Sequence, residues 1–557
     1  MRVKRVLTGI LALTMLLSLA AGCGNQQSAE EKSAETVSAA SSEAETSAAP
    51  APVTADEASE AAVNETPAVE NTYFPLEETE SISLWTAYPP IGIVPEDYLI
   101  FQEAQTRLNI QLEFQESSLL TASDDFNLLM ASGEYPDIIN YFSNFYTSSA
   151  STALEQEIIL DLTDYMDDYA PDYQAARSAD ETVARQTMDD GKLLRFFMLH
   201  DGAYSADFGP AVRQDWLDEL GLDAPETYED WHDVGKAFLE QYGATIALPA
   251  TGTVQGGFLG SGYDITLPDV ASTAAGGFFQ VDGTVHFGPY EENFKDYLEM
   301  LHSWYQEGIL YPDFYSDSNG NSTDSGLVTS GTCGIFWLPA QYITEYEQQM
   351  GVSGVITPIA DPVKKAGQVT HMRSNSNTPI GSVVISADCR DLELAMEFMN
   401  WWYTDEGSTL ANYGVEGQTF QRGEDGSIQW TELITNNPDY SLDGALALYT
   451  GSRDSIPYLY DDGKYNSLYA DVQLEAGQVW LCNDDGAYVM PSEFEYDKDT
   501  EIQQLMGDIS TYVSQSTLQF ITGDLDLDSF ADYQAKLERM GMEKVLDAYT
   551  QQYAEME

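Results

Sequence analysis

Among the side chains able to do chemistry, carboxylates dominate: the 557 residues hold 92 Asp and Glu against 23 Lys and Arg. Two carboxylates about 5 to 10 Å apart would serve glycoside hydrolysis, but with so many acids some pair always fits, and no spacing singles one out. His200, His232, His286, His302 and His371 are scattered, and none forms an HExxH-type pair that would hold a catalytic zinc. A GxSxG elbow and a P-loop are also missing. Cys333, Cys389 and Cys482 are odd in number and lack metal-type spacing, so at most one disulfide could form, and three free or buried thiols are expected. The remaining resource is aromatic, with 9 Trp and 34 Tyr. Rings that stack on the apolar faces of sugars, with carboxylates, amides and Arg on the hydroxyls, make a binding chemistry that breaks no bond. No catalytic residue, metal or cofactor is expected.

The fourth cysteine is set apart by its neighbours. In MRVKRVLTGILALTMLLSLAAGC, Arg2, Lys4 and Arg5 precede an apolar run, Val6 to Leu19, and then Ala20, Ala21 and Gly22 deliver Cys23. This is the order of a signal peptide, over residues 1–22, and is too short and too early for a spanning helix. The junction resembles a lipobox, with Ala20 where leucine is preferred and Leu19 one step earlier. Cys23 is therefore the expected acylation site, palmitate included, and a diacylglyceryl thioether supplies the two or more chains that stable anchoring needs. From Gly24 to about Asn71 the chain is Ser, Ala, Glu, Thr and Pro, a composition unable to bury enough apolar surface to fold. Residues 23–79 are expected to form a lipidated, disordered linker, and roughly 50 such residues span on the order of 40 Å.

The net charge of −69 repels nucleic acid and anionic lipid, so neither is an expected direct partner. About 480 residues follow the linker, which suits two or three lobes. Their opening reads β-α-β. Ser81–Thr86 alternates, Glu96–Leu108 has helical spacing, and Ile110–Phe114 alternates again; a helix over Phe126–Ala131 ends at Ser132-Gly133, and Pro136–Ile139 begins a buried strand. Such a pattern implies an α/β fold with a parallel sheet, ligands binding beyond the strand ends. Later, Gly221 stops one helix, Thr227 caps the next, Thr378–Ser386 is a strand, and Asp388 is placed to cap the helix Leu392–Tyr403. The last segment, Asp528–Tyr553, is amphipathic helix broken at Gly541.

In order along the chain stand LMASGEYPDII (129–139), VRQDWLDELGLDAPETYEDW (212–231), SGTCGIFW (330–337), PIGSVVISADCRDLELAMEFMNWWYTDEG (379–407) with YGVEGQTF (413–420), and the ending 520–553. Together they resemble the extracellular solute-binding proteins of ABC importers, in the branch of maltose- and alginate-binding proteins and large Firmicute lipoproteins. The resemblance implies a two-lobed periplasmic-binding-protein-like fold with hinge strands and a cleft. Residues 80–200 plus 380–425 would form lobe 1, and 201–379 plus 426–557 lobe 2. It further implies a monomer on the extracellular face of the cell membrane, held by its lipid, that captures a solute, in this family commonly an oligosaccharide, for ABC transporter permease subunits. An extracellular glycan-active hydrolase is the alternative. Alginate-binding relatives carry an Asp/Asn/Gly-rich calcium loop after the helix pair; here Lys236 runs to Gly243-Ala-Thr-Ile-Ala-Leu-Pro without it, so no calcium is expected there. Asp317–Asp324 is oxygen-rich but lacks the glycine position and closing glutamate of an EF-hand loop.

Carried onto the strand ends, the crevice rule makes Trp85, Tyr88, Asn140, Tyr141 and Phe142 candidates for either cleft or core. Trp337 is the leading aromatic candidate, and Tyr413 and Glu416 are polar candidates from the other lobe. Arg213 could clasp ligand or pair with Asp215. Trp216, Trp231, Trp401 and Trp402 sit at core spacing on helices, and Pro136 and Asp137 are expected to be architectural.

Overall fold

The computed structural model describes residues 73–556 apart from 90–91, 147, 202–207, 249–257, 268–276, 316–322, 373–378, 452–454, 482, 492–493, 495 and 497–498. The leader, Cys23, the linker to Asn71, Cys482 and residues 317–322 of the oxygen-rich run lie outside the described residues. Cys333 is buried and Cys389 half-buried. Among the described residues no helix is long and apolar enough to cross a membrane.

Two sheets organise the chain. The first contains β1 (Glu80–Tyr88), β2 (Ile110–Ser118), β3 (Ile138–Asn140), β4 (Phe196–His200), β11 (Ile380–Ile385) and β14 (Leu459–Tyr460), in the order β14-β4-β11-β3-β1-β2. The second contains β5 (Phe208–Arg213), β6 (Thr245–Ile246), β9 (Cys333–Pro339) and β10 (Ile356–Pro358), in the order β10-β5-β9-β6. Two hairpins, β7 (Phe278–Val281) with β8 (Thr284–Phe287) and β12 (Phe420–Arg422) with β13 (Ile428–Trp430), complete the strands.

The β-α-β opening is present: β1 and β2 pair in parallel from Glu80↔Ile110 to Tyr88↔Ser118, joined through the helix Leu99–Leu108. In the first sheet β11 alone runs against its neighbours. Tyr88, Ser118, Asn140, His200 and Tyr460 therefore end at one edge, where β11 begins. The inner strands β3 and β4 are buried in succession because both faces are covered, whereas the edge strand β2 alternates. Ile82, Leu84, Phe196, Met198 and Val383 pack under Phe398 and Trp402, while Trp85, Ile139 and Val384 pack with Phe126 on the other side. The second sheet is backed by the helices Tyr228–Tyr242, Glu292–Gln306 and Thr500–Thr522 and the two C-terminal helices Phe530–Met540 and Met542–Met556.

Three connections cross between the two lobes: β4 to β5, β10 to β11, and β14 to the helix Asp471–Val479. Residues 426–460, expected in lobe 2, run with the first sheet. β14 pairs in parallel with β4, and Ile456 and Tyr458 are fully buried in the first core. A two-residue strand carries no period to read, so its pairing could not be anticipated.

Local stop and start signals act as their chemistry requires. Gly221 and Gly541 take left-handed backbone at their helix ends, and Thr227 and Asp230 close a reciprocal capping box. One assignment is corrected: Asp391, not Asp388, caps the helix Leu392–Trp401 by accepting from Leu394 N. Asp388 instead accepts from Tyr135 N at 3.0 Å.

Asp137 joins three elements. Its carboxylate accepts from Ser83 N and Oγ, both at 2.7 Å, and from Arg390 N at 2.8 Å and Nη2 at 2.6 Å. Burial alone would raise its pKa, but the bonds from Arg390 and Ser83 outweigh it and bring the group down to about 2. The architectural role expected for Asp137 is thus given a geometry.

Candidate functional site

A cavity of about 290 Å³ opens beside the end of β3 and the starts of β4 and β11, where the second crossing enters the first lobe. Ser143 and Asn144 line it from the short helix after β3, Arg195 and Phe197 from β4 and its approach, Gln186 from the end of the helix Glu181–Gln186, Pro379 from the second crossing and Gly381 from β11. Ser143 is fixed at the helix start by Ser382: its N donates to Ser382 Oγ at 2.8 Å, and Ser382 Oγ donates to its Oγ at 2.7 Å. Arg195 is held from two sides. Nε and Nη2 grip the two oxygens of Asp189, the former at 2.9 Å, and Nη1 reaches Ser143 Oγ at 2.6 Å. Its guanidinium lies 4.7 Å from the centre of the Phe197 ring. Burial raises the pKa of Asp189 and Arg195 opposes it.

A second, wider cavity of about 520 Å³ lies toward the edge strand β2, bounded by Trp85, Glu116, Asp125, Leu128 and Tyr135 among others. Trp85 is 4% exposed and packs edge-on against Phe126 and Phe145, so it contributes a wall.

The other candidates separate by position. Asn140 and Tyr141 are at the strand-end edge. Asn140 Nδ2 donates to Thr86 Oγ1 at 3.2 Å and to Ser455 O at 2.9 Å, tying β3 to the loop that follows residues 452–454. Tyr88 ends β1, half-buried. Phe142, considered for cleft or core, is core: it is 1% exposed among Phe126 and Tyr146. Tyr413 donates its hydroxyl to Asp461 at the third crossing, whereas Glu416 is solvent-facing and pairs with Arg422 at 3.8 Å. Both belong to the first lobe.

Two expectations in the second lobe need correction. Trp337 is fully buried and packs 5.4 Å from Trp231. Its strand does reach the crossing, because Pro339 pairs with Phe208, but the period of two turns Trp337 into the helix-covered core. Arg213 lies at the far end of β5 from the crossing. It is committed to Asp215 through Nε at 2.8 Å and Nη2 at 2.5 Å, and stacks 4.3 Å over Trp216. Of the two alternatives held for it, the structural pair is the one present.

Arg195, Asp189, Ser143, Phe197 and Gln186 were not anticipated. The available signal was Arg195 itself, a cation inside the apolar run LLRFFML with Asp189 and Asp190 shortly before it; such a charge needs a partner.

Among the described residues no group of three or more His, Cys, Asp or Glu could hold a metal. The third crossing is acidic: Asp462 N donates to Asp201 Oδ1 at 3.1 Å, and His200 Nδ1 is 2.7 Å from Asp462 Oδ1. Burial, followed by the charges of Asp461 and Asp462, raises the Asp201 pKa.

The model of the bacterial extracellular solute-binding protein family matches residues 91–409, more than half of the chain and segments of both lobes. The chain belongs to that family. This extracellular solute-binding protein has relatives of low identity and high coverage. Lipoprotein LipO of Bacillus subtilis is 23% identical, covering 74% of this chain and 80% of LipO. The fructooligosaccharide ABC transporter substrate-binding protein FusA of Streptococcus pneumoniae is 22% identical, over 87% and 92%. Its structure with kestose superposes with a TM-score of 0.65 at 17% identity, covering 86% of this chain and 99% of that one. The alginate-binding protein AlgQ2 without calcium ion gives 0.67 at 18% identity, over 87% and 99%. These likenesses establish the two-lobed solute-binding fold, and they give the hydrolase alternative no support.

Proposed function

We propose that this solute-binding protein captures an extracellular oligosaccharide between its lobes and presents it to the permease of an ABC importer. The observation that carries this is the cavity at the strand-end edge. Amide, hydroxyl and guanidinium donors converge there beside an aromatic ring, at the point where the connection from the second lobe enters β11. Such an array suits sugar hydroxyls. A ligand touching both lobes stabilises only the closed form, so binding shifts the population toward closure. The kestose bound by FusA and the alginate that AlgQ2 binds support a saccharide.

Lipidation at Cys23, with the protein a monomer on the outer face of the membrane, completes the proposal, and the lipoprotein relative supports it. Tethering raises the local concentration of the trap at the permease without adding contacts. Both parts are tested together by comparing wild type with Cys23→Ala in titrations against a panel of oligosaccharides. The variant is expected in the medium instead of the membrane fraction, with the same Kd as wild type and the sugar recovered intact. A changed Kd would contradict the separation of anchor from trap, and a cleaved sugar would restore the hydrolase.

A further inference from the structure

We infer that the crevice selects neutral oligosaccharides and rejects uronates and other anionic sugars, because the one cation among the described residues that line its cavity is already neutralised within the first lobe. The inference rests on the sugar-binding proposal and specifies its ligand class.

Among the described residues that line the 290 Å³ cavity, Arg195 is the only charged one. A guanidinium with free edges would be the natural receptor for a sugar carboxylate, since its fork matches the two oxygens. Here that fork is spent. Nε and Nη2 face both oxygens of Asp189, and Nη1 donates to Ser143 Oγ. The Asp189 side chain is 9% exposed and that of Arg195 18%, so the pair is shielded from water and from exchange of partners. A carboxylate taking the Nε–Nη2 fork would have to displace Asp189 and leave it buried without its cation, which is a heavy cost, and one meeting the remaining N–H groups faces a cation whose charge Asp189 already offsets. A hydroxyl needs only the N–H groups and amides that remain.

The surroundings act in the same direction. Along the sheet, β14 lies next to β4, and the residues that follow these strands bring Asp201, Asp461 and Asp462 together at the crossing, where Asp462 N and Asp201 Oδ1 are 3.1 Å apart. Against a net charge of −69, a polyanion meets unfavourable potential during approach as well as at the site.

The test is calorimetric titration of the full chain with kestose, other neutral tri- and tetrasaccharides, and trigalacturonate, at low and high salt. Wild type is expected to bind at least one neutral sugar about 100-fold more tightly than trigalacturonate. Asp189→Asn, which frees the Arg195 fork, should narrow that ratio at least tenfold, and Asp189→Asn with Arg195→Gln should restore it. Tighter binding of trigalacturonate by wild type overturns the inference while leaving a sugar-binding protein. Failure of every sugar of either class overturns the proposed function and this inference with it. If Asp189→Asn does not fold, the wild-type ratio and its salt dependence decide: added salt should improve uronate binding if repulsion governs, and a loss of uronate binding with salt would contradict it.

Discussion

Asp137→Ala is expected to lower folding stability by about 3 kcal/mol, the loss of several hydrogen bonds to one buried charge. The carboxylate is 4% exposed and collects Ser83 of β1 and Arg390 of the loop after β11 at the mouth of β3. Alanine would leave the Ser83 and Arg390 amides without their acceptor, while the Arg390 side chain, 53% exposed, can turn to water. The effect should depend on acidity. With the folded pKa lowered to about 2 against an unfolded value of about 3.9, the ionised form contributes roughly 2 to 3 kcal/mol above pH 4. That contribution is lost as pH falls toward 2. Denaturant melts of wild type and Asp137→Asn between pH 2 and 7 check this: the gap should shrink on acidification. A constant gap would show that the charge of Asp137 contributes nothing.

Lys464→Met is expected to stabilise the protein, and most strongly at or below neutral pH. Lys464 is 2% exposed, and its Nζ donates to Thr450 Oγ1 at 3.2 Å and to Gly451 O at 3.0 Å. Burial lowers its pKa to about 7, Asp461 only partly opposing. A lysine whose folded pKa lies below its unfolded value of about 10.4 binds fewer protons when folded. Wild-type stability should therefore rise with pH from 7 to about 10 at this site, and the buried charge costs most below 7. The full difference is of order 4 kcal/mol. Removing the amine strands little, because Gly451 O also accepts from Tyr458 OH and Thr450 Oγ1 also donates to Leu446 O. The melting gap between variant and wild type should be widest near pH 6 and close by pH 10; a pH-independent gap would contradict the assignment.

How far the sequence could be read follows from the range of the interactions involved. Thr227, Gly221 and Gly541 act within a few residues of themselves, so their caps and stops were legible. The β-α-β opening was legible because its period changes within thirty residues. Asp391 was missed for Asp388 because two acids stand near one helix start and only the fold shows that Tyr135 N claims the earlier one. β14, two residues long, owes its place to β4 more than 250 positions away. The site was less legible than the fold. Strand direction points β9 at the crossing but says nothing of which face Trp337 takes, and that face is the core. Arg195 was overlooked because its meaning depends on Asp189 and Ser143 meeting it in space. Asn140 and Tyr141 are at the expected edge, while Arg213 spends its charge on the neighbour two residues along.

A neutral oligosaccharide is expected to close the two lobes without being changed. Small-angle X-ray scattering of the secreted Cys23→Ala chain measures this directly when it is recorded with and without saturating neutral sugar and the sugar is then recovered and sized. The linker contributes equally to both states, so the radius of gyration should fall on binding and the recovered sugar should keep its length. An unchanged radius at saturation, or a shortened sugar, would contradict the account.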